Sequence, residues 1–329
     1  MKLFQYTIIK KGIITLLTII IFVSLISIMK QNSFILFFHS KNYCLSKVLK
    51  YYKNDIEKYN AASFLIKNMT NKYTYKVTIK DLLETLEKVT ENSVYTYEKQ
   101  ISQGFITLAG GHRVGVVGNA VNEDDKITNI SYVSGMNFRI AREIKGCGNF
   151  IIKRLYENGN FQNTLIVGSP GSGKTTLLRD LIRQVSNGNQ YNKGLNVGVV
   201  DERNELAAMY KGSEQTDLGL RTDVIANIPK KLGIKILIRS MAPEVIAVDE
   251  IGGIEDSKMI YYAMCSGTKA LLTAHGNSLN DIKINPELQE LMKYYVIEKI
   301  IILDSHEKEK IKGVYFLDKE KREYRRECI

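Results

Sequence analysis

Residues 168–176, GSPGSGKTT, have the residue types and spacing of a phosphate-binding loop. Gly168, Gly173, Lys174 and Thr175 satisfy the pattern G-x-x-x-x-G-K-[ST], and the segment stands between an apolar run and a helical pattern. Glycines let backbone amides close around phosphates, and a helix N-terminus adds partial positive charge. The residues that we predict to bind ATP are Gly168, Ser169, Pro170, Gly171, Ser172, Gly173, Lys174, Thr175 and Thr176.

Magnesium and a general base are the next requirements of ATP hydrolysis. The predicted roles in the loop are contact of Lys174 with the β- and γ-phosphates and contact of the Thr175 hydroxyl with Mg²⁺. In VIAVDE (245–250), four apolar residues lead to Asp249, which can hold Mg²⁺ through water, and to Glu250. Glu250 is then placed to orient and deprotonate the attacking water. The sequence predicts ATP and Mg²⁺ as ligands.

Two further apolar runs end in polar residues of the same kind. VVDERNE (199–205) places Asp201, Glu202 and Arg203 at a strand end, and Glu202 is the rival of Glu250 for the general base; a surface acidic cluster is the alternative interpretation. LLTAH (271–275) ends in His275, for which we predict a role in sensing the γ-phosphate rather than a structural one.

Arginine is concentrated in the middle of the chain. Nine of the 12 arginines lie between residues 113 and 239, although the chain has 34 lysines. A guanidinium binds a transferring phosphate through paired planar donors, which lysine does not have. Arg239, which leads into the strand of Asp249, is included in the predicted catalytic set. The candidates for phosphate contact, within one chain or from a neighbouring subunit, are Arg113, Arg139, Arg142, Arg221 and Arg239.

The elements that must position these residues follow from the apolar pattern. From about residue 161, short apolar runs alternate with helical stretches, which is typical of a mostly parallel sheet covered on both faces. Ligands of such sheets bind at the carboxyl ends of the strands, where the polar residues stand. We predict an α/β fold with a RecA-like P-loop NTPase domain at 161–329, preceded by a small α/β domain at 77–160 and a linker or helical region at 31–76.

An uncharged apolar segment of 18 residues, 12–29, lies near the N-terminus between lysines. As a helix it would be about 27 Å long, close to the hydrocarbon thickness of a bilayer. We predict that residues 1–30 contain a single-pass membrane anchor; a buried helix or an extension outside the working fold are the alternatives. ATP is a cytosolic ligand, so the C-terminal side is expected in the cytosol.

Charge and cysteine usage exclude other classes of partner. The net charge is +11, but residues 1–60 supply +7 of it through nine lysines against two acidic residues. Positive charge beside an apolar segment fits anionic lipid rather than a DNA-binding face, so nucleic acid is not an expected partner. The four cysteines are far apart, which predicts neither a zinc site nor a disulfide framework.

The order of the motifs resembles a known class of motors. Phosphate loop, DER, DE and TAH follow one another as in the secretion-type ATPases of type II and type IV systems. GFITLAGGHRVGVVG, NFRIARE, GKTTLLRDLIR, VGVVDERNELAA, LGLRTDV, IRSMAPEVIAVDEIG and TAHG together resemble the stage III sporulation protein AA family over about residues 77–305. The start of the chain departs from that family.

The resemblance implies a cytosolic, mother-cell ATPase at the membrane, assembled as a homohexamer. It would energise or assemble the mother-cell–forespore channel of endospore formation, with membrane proteins of that channel as partners. A nucleic-acid-dependent ATPase of the RecA or helicase type is the alternative, since the fold is shared. A membrane-tethered scaffold that uses nucleotide only to assemble is a third.

Overall fold

The computed structural model describes residues 35–39, 79–123, 126–139, 141, 143–304 and 311–327. The predicted anchor at 12–29 and all but a strand of the predicted linker at 31–76 lie outside these residues. In the described part, no helix has both the length and the apolar character needed to cross a bilayer. The chain divides into two compact units, Met1–Arg142 and Glu143–Ile329.

In its described residues, the first unit consists of an antiparallel sheet and two α-helices. Its strands, in the order β1-β4-β3-β2 across the sheet, are β1 (Ile35–His39), β2 (Phe105–Thr107), β3 (Arg113–Glu123) and β4 (Lys126–Arg139). The helices are α1 (Ile79–Val89) and α2 (Glu98–Ser102). Leu82 of α1, Ile101 of α2 and Phe138 of β4 belong to one buried cluster that joins the helices to the sheet.

The second unit is built on an eight-stranded sheet in the order β14-β13-β12-β7-β11-β10-β8-β9. Six of these strands run parallel: β7 (Thr164–Gly168), β8 (Val197–Asp201), β9 (Thr222–Ala226), β10 (Val245–Val248), β11 (Lys269–His275) and β12 (Lys299–Leu303). Strands β13 (Ile311–Asp318) and β14 (Glu323–Arg326) extend the sheet antiparallel. The mostly parallel α/β sheet that the sequence predicts is therefore confirmed.

Helices cover both faces of this sheet. Successive side chains of a strand point to opposite faces, so a strand that is apolar throughout packs against helices on both sides. The helices are α3 (Lys174–Asn187), α4 (Lys230–Ser240), α5 (Ile254–Cys265), α6 (Leu279–Ile284) and α7 (Gln289–Lys293). Ile166 of β7 packs in a cluster with Leu177 of α3, whereas its neighbour Leu165 packs in a second cluster with Ile234 of α4. With both faces covered, the carboxyl edge of the sheet is the place left for polar side chains.

Residues 143–160 pack with the second unit, so this unit begins before residue 161, where the sequence analysis starts the ATPase domain. The buried Asp180 of α3 accepts hydrogen bonds from the backbone N–H of Gly146 at 2.9 Å and of Gly148 at 2.7 Å. Leu155, which precedes β5 (Tyr156–Glu157), and Phe161 of the paired strand β6 (Asn160–Phe161) belong to the same buried cluster as the apolar residues of α3. These contacts are tertiary, which is why a change in sequence pattern at 161 does not reveal them.

The bonds around Asp180 set its charge state. Burial acts to raise the pKa of Asp180, but the hydrogen bonds from Gly146, Gly148, Arg183 and Gln184 outweigh it and lower the pKa. A carboxylate with a lowered pKa in the native state stabilises the fold above its unfolded pKa of about 3.9. That contribution is lost as pH falls through the lower native pKa.

We therefore expect Asp180→Asn to lower the free energy of unfolding by about 1–3 kcal/mol at pH 7, because the amide cannot satisfy the same donors. The difference between variant and wild type should begin to shrink below about pH 3.9, where the carboxyl group of the unfolded chain protonates, and should vanish below the lowered native pKa of Asp180. Urea unfolding from pH 7 down to pH 3 measures it. The exposed Glu157→Gln is the control, and a difference that does not depend on pH would contradict this role of Asp180.

Candidate nucleotide site

The glycine-rich loop joins the carboxyl end of β7 to the N-terminus of α3. Gly171 and Gly173 have φ values of 78° and 94°, a left-handed conformation that glycine adopts without steric cost. Gly173 is the N-cap of α3, and Lys174 is its first residue. Strand, loop and helix thus have the arrangement that a phosphate-binding loop requires.

The Lys174 side chain contacts the backbone of its own loop. Its Nζ donates to the carbonyl oxygens of Gly168 and Ser169, both at 2.9 Å, and lies 3.5 Å from Nδ1 of His275. Burial lowers the pKa of Lys174, and the charges of Asp249 and Glu250 act in the opposite direction without cancelling this effect. The ammonium therefore lies against the loop carbonyls and close to His275.

A chain of hydrogen bonds joins the loop to the ends of β10 and β11. Thr175 Oγ1 donates to Asp249 Oδ2 at 2.8 Å, and Thr273 Oγ1 donates to Asp249 Oδ1. The backbone N–H of Glu250 donates to Thr273 Oγ1 at 2.6 Å. The fully buried Thr273 thus fixes both acidic residues. The motifs of the sequence do not single out Thr273, although a hydroxyl inside the apolar run that ends at His275 is a signal that points to it.

Glu250 has both carboxylate oxygens occupied. Oε1 lies 2.8 Å from Nε2 of His275, and Oε2 accepts a hydrogen bond from Nη1 of Arg203 at 2.7 Å. Burial acts to raise the pKa of Glu250, but the hydrogen bond with His275 and the charge of Arg203 lower it below its usual value. Its backbone φ of 55° is unusual for a residue with a side chain. Glu250 is therefore held as an oriented anion.

The acidic residues after β8 have other partners. Glu202 pairs with the buried Nζ of Lys230, the first residue of α4. Asp201 is buried and accepts hydrogen bonds from the backbone N–H groups of Glu205, Leu206 and Ala207 at 2.7–3.0 Å. Burial raises the pKa of Asp201, and these hydrogen bonds act against the rise. Asp201 therefore shapes the loop after β8.

Neither Arg221 nor Arg239 is among the side chains that meet at the loop. Arg239 is exposed in the last turn of α4, nine residues after Lys230 and so about 14 Å further along the helix. Arg221 precedes β9 and donates to the carbonyl of Ser186 in the last turn of α3. Both lie toward the opposite edge of the sheet, whereas Arg203 contacts Glu250 at the site.

The other candidate arginines belong to the first unit. Arg113 stacks on the ring of Phe105, with 3.8 Å between the guanidinium carbon and the ring centroid, and pairs in register with Arg139. Arg142 lies outside the described residues. A phosphate contact from any of these three stays a prediction.

The oxygen donors at the site fit Mg²⁺. The Thr175 hydroxyl and a carboxylate oxygen of Asp249 lie 2.8 Å apart, and Mg²⁺ is held by few protein oxygens together with waters and substrate phosphates. No cluster of three His, Cys, Asp or Glu side chains that could hold a metal occurs among the described residues. Ser172 Oγ is buried in the loop and lacks a hydrogen-bond partner there. These oxygen donors therefore suit a metal ion whose remaining ligands are phosphate oxygens and water.

Comparison with known proteins assigns the family. Residues 59–322 match the family model described as "Sporulation stage III, protein AA". The chain is 37% identical over 230 residues to stage III sporulation protein AA of Bacillus subtilis, a match that covers 70% of this chain and 75% of that protein. It is 28% identical over 226 residues to the protein ycf45 of Cyanidium caldarium, covering 68% of this chain and 60% of that protein.

Among solved structures, the ATPase DotB of Legionella pneumophila aligns with a TM-score of 0.46 and 16% identity, covering 70% of this chain and 65% of that one. The pilus retraction motor PilT with bound ADP aligns with a TM-score of 0.42 and 15% identity, covering 70% of this chain and 67% of that one.

Substitution of Thr273 tests the hydrogen bonds that join the loop to the ends of β10 and β11. Thr273→Val keeps the shape of the side chain but leaves the N–H of Glu250 and one oxygen of Asp249 without their partner. We expect a loss of about 1–3 kcal/mol in the free energy of unfolding and a lower rate of ATP hydrolysis. Urea unfolding and phosphate release measure the two effects.

Two variants serve as controls for this substitution. Thr273→Ser keeps the hydroxyl and should retain most of the activity. Thr164→Val removes another buried strand hydroxyl, which bonds to the carbonyl of Gln162 far from the acidic pair, and should affect stability alone. Full hydrolysis by Thr273→Val would show that Thr273 does not hold the acidic pair.

Proposed function

Since the chain belongs to the stage III sporulation protein AA family, we propose that it is a Mg²⁺-dependent ATPase that converts ATP and water into ADP and phosphate. One observation carries the proposal. The carboxyl ends of the adjacent strands β7, β11 and β10 bring together Lys174, Asp249, Glu250 and His275. A phosphate-binding loop beside a hydrogen-bonded carboxylate pair is the arrangement that phosphoryl transfer to water needs.

The side chains have distinct roles in this proposal. The backbone amides of the loop and the Lys174 ammonium bind the β- and γ-phosphates. Thr175 and Asp249 would hold Mg²⁺, which when bound neutralises charge on the phosphates. Glu250 orients the attacking water and accepts its proton. His275 touches both Lys174 and Glu250, so it can relay whether a γ-phosphate is bound.

The contacts favour Glu250 over Glu202 as the general base. Glu250 follows Asp249 directly, and its carboxylate contacts His275, which also contacts Lys174 of the loop. Glu202 is paired with Lys230.

The cellular role in the proposal follows from the family. We propose a RecA-like motor on the cytoplasmic face of the mother-cell membrane that energises or assembles the channel to the forespore. Its partners would be membrane proteins of that channel and further copies of this chain in a homohexameric ring. In such a ring a neighbouring subunit can supply an arginine to the phosphates, which is the remaining place for Arg239 in the reaction.

Substitution of the two glutamates tests the choice of base. Glu250→Gln should abolish phosphate release while ATP still binds, because the amide keeps the size of the side chain but accepts no proton. Glu202→Gln should retain hydrolysis. Steady-state phosphate release and equilibrium binding of a fluorescent ATP analogue measure both properties. Normal turnover in Glu250→Gln, with loss of turnover in Glu202→Gln, would move the base to Glu202.

The mass of the assembly tests the ring. We expect the purified full-length chain, in detergent, to gain mass toward six copies when ATP and Mg²⁺ are added, because nucleotide would bind between subunits. Light scattering after size exclusion, with and without ATP, measures it. A chain that hydrolyses ATP but stays monomeric at every nucleotide concentration would rule out the ring and leave the ATPase intact.

A further inference from the structure

The loop after β8 is built to hold the backbone of Arg203 in place. The side chain of Asp201, two residues before, binds three backbone N–H groups of the loop. Asn204, the next residue, has φ 55° and exchanges two hydrogen bonds with the backbone of Met209. Arg179 of α3 donates to the carbonyls of Glu205 and Leu206. The backbone on both sides of Arg203 is therefore fixed.

The order of the strands brings Arg203 to Glu250. Strand β10 lies between β8 and β11, and Val248 stands opposite Val200 on one side and Leu272 on the other. Glu250, two residues beyond Val248, therefore has the residues after β8 on one side and His275 on the other. Arg203 binds one oxygen of the carboxylate and His275 binds the other.

We propose that Arg203 is a positioning residue, which together with His275 fixes the Glu250 carboxylate toward the attacking water. This inference rests on the proposed ATPase function. In the reaction the water proton passes to Glu250 and the water oxygen bonds to the γ-phosphorus, while the bond from the γ-phosphorus to the bridging oxygen breaks and its electron pair leaves with ADP. Arg203 acts through Glu250 and takes no part in bond making. A carboxylate held at only one oxygen can rotate about the bond that joins it to the side chain. Catalysis is sensitive to such misplacement.

A role in folding does not account for this arginine. The Arg203 side chain is 61% exposed, and exposed ion pairs contribute little to stability because water screens them. Its contact with Glu250 thus matters mainly for where the carboxylate points. A direct role in binding phosphate is the competing explanation, and nucleotide affinity separates the two.

The test compares full-length Arg203→Ala and Arg203→Lys with wild type in steady-state ATP hydrolysis and in binding of a fluorescent ATP analogue. We expect kcat to fall by about 10- to 100-fold in Arg203→Ala, with KM and analogue affinity within about twofold of wild type. Arg203→Lys keeps the charge but not the planar pair of donors, so its kcat should lie between those of wild type and Arg203→Ala. Added guanidinium chloride at millimolar concentration should partly restore Arg203→Ala, and sodium chloride should not.

The matched control is Arg325→Ala. Arg325 is also exposed and pairs with Asp318 at 3.1 Å on the β13–β14 hairpin, away from the loop. Its removal should leave kcat and KM unchanged.

The outcomes separate this inference from the function on which it rests. A wild-type chain that releases no phosphate refutes the proposed function. Hydrolysis by wild type with unchanged kcat in Arg203→Ala refutes only the positioning role. A loss of affinity for the ATP analogue but not for ADP would instead make Arg203 a phosphate ligand. If guanidinium did not restore Arg203→Ala, the result would count against the positioning role, which attributes the defect to the lost contact with Glu250.

Discussion

The hydrogen bonds that Thr175 and Thr273 donate to Asp249 join the elements on which the site depends. One comes from the first turn of α3 and the other from β11, and both end on a carboxylate at the end of β10. Because the N–H of Glu250 donates to the same Thr273 hydroxyl, the position of the proposed general base depends on these hydrogen bonds too. Removal of the Thr273 hydroxyl would disturb Asp249, the proposed Mg²⁺ ligand, together with Glu250, the proposed base. The proposed hydrolysis thus depends on the carboxyl ends of the parallel strands β10 and β11 lying side by side in the sheet.

Much of the site could be predicted from sequence, because its motifs are local. The loop from Gly168 to Thr175 follows a fixed spacing, and Asp249 and Glu250 come directly after an apolar run. The mostly parallel sheet also follows from short apolar runs between helices. These features need no knowledge of which strand lies beside which.

The pairings between strand ends could not be predicted, because they depend on sheet order and register. Glu202 and Glu250 have the same sequence context, an acidic residue after a buried strand, and only their neighbours distinguish them. Arg239 lies in the last turn of α4, away from the loop, whereas the turn after β8 places Arg203 against Glu250. The contacts of Asp180 likewise join residues distant in sequence, so the extent of the second unit is visible only in the fold.

The central claim is that a triphosphate binds in the loop after β7, and a structure determined with a non-hydrolysable ATP analogue and Mg²⁺ tests it most directly. The account predicts density for the phosphates within hydrogen-bonding distance of the amides of Gly171–Thr175 and of Lys174 Nζ. The metal should lie against Thr175 Oγ1 and on the Asp249 side of the γ-phosphate. A nucleotide bound elsewhere on the chain, or a loop that stays empty at saturating analogue, would contradict it.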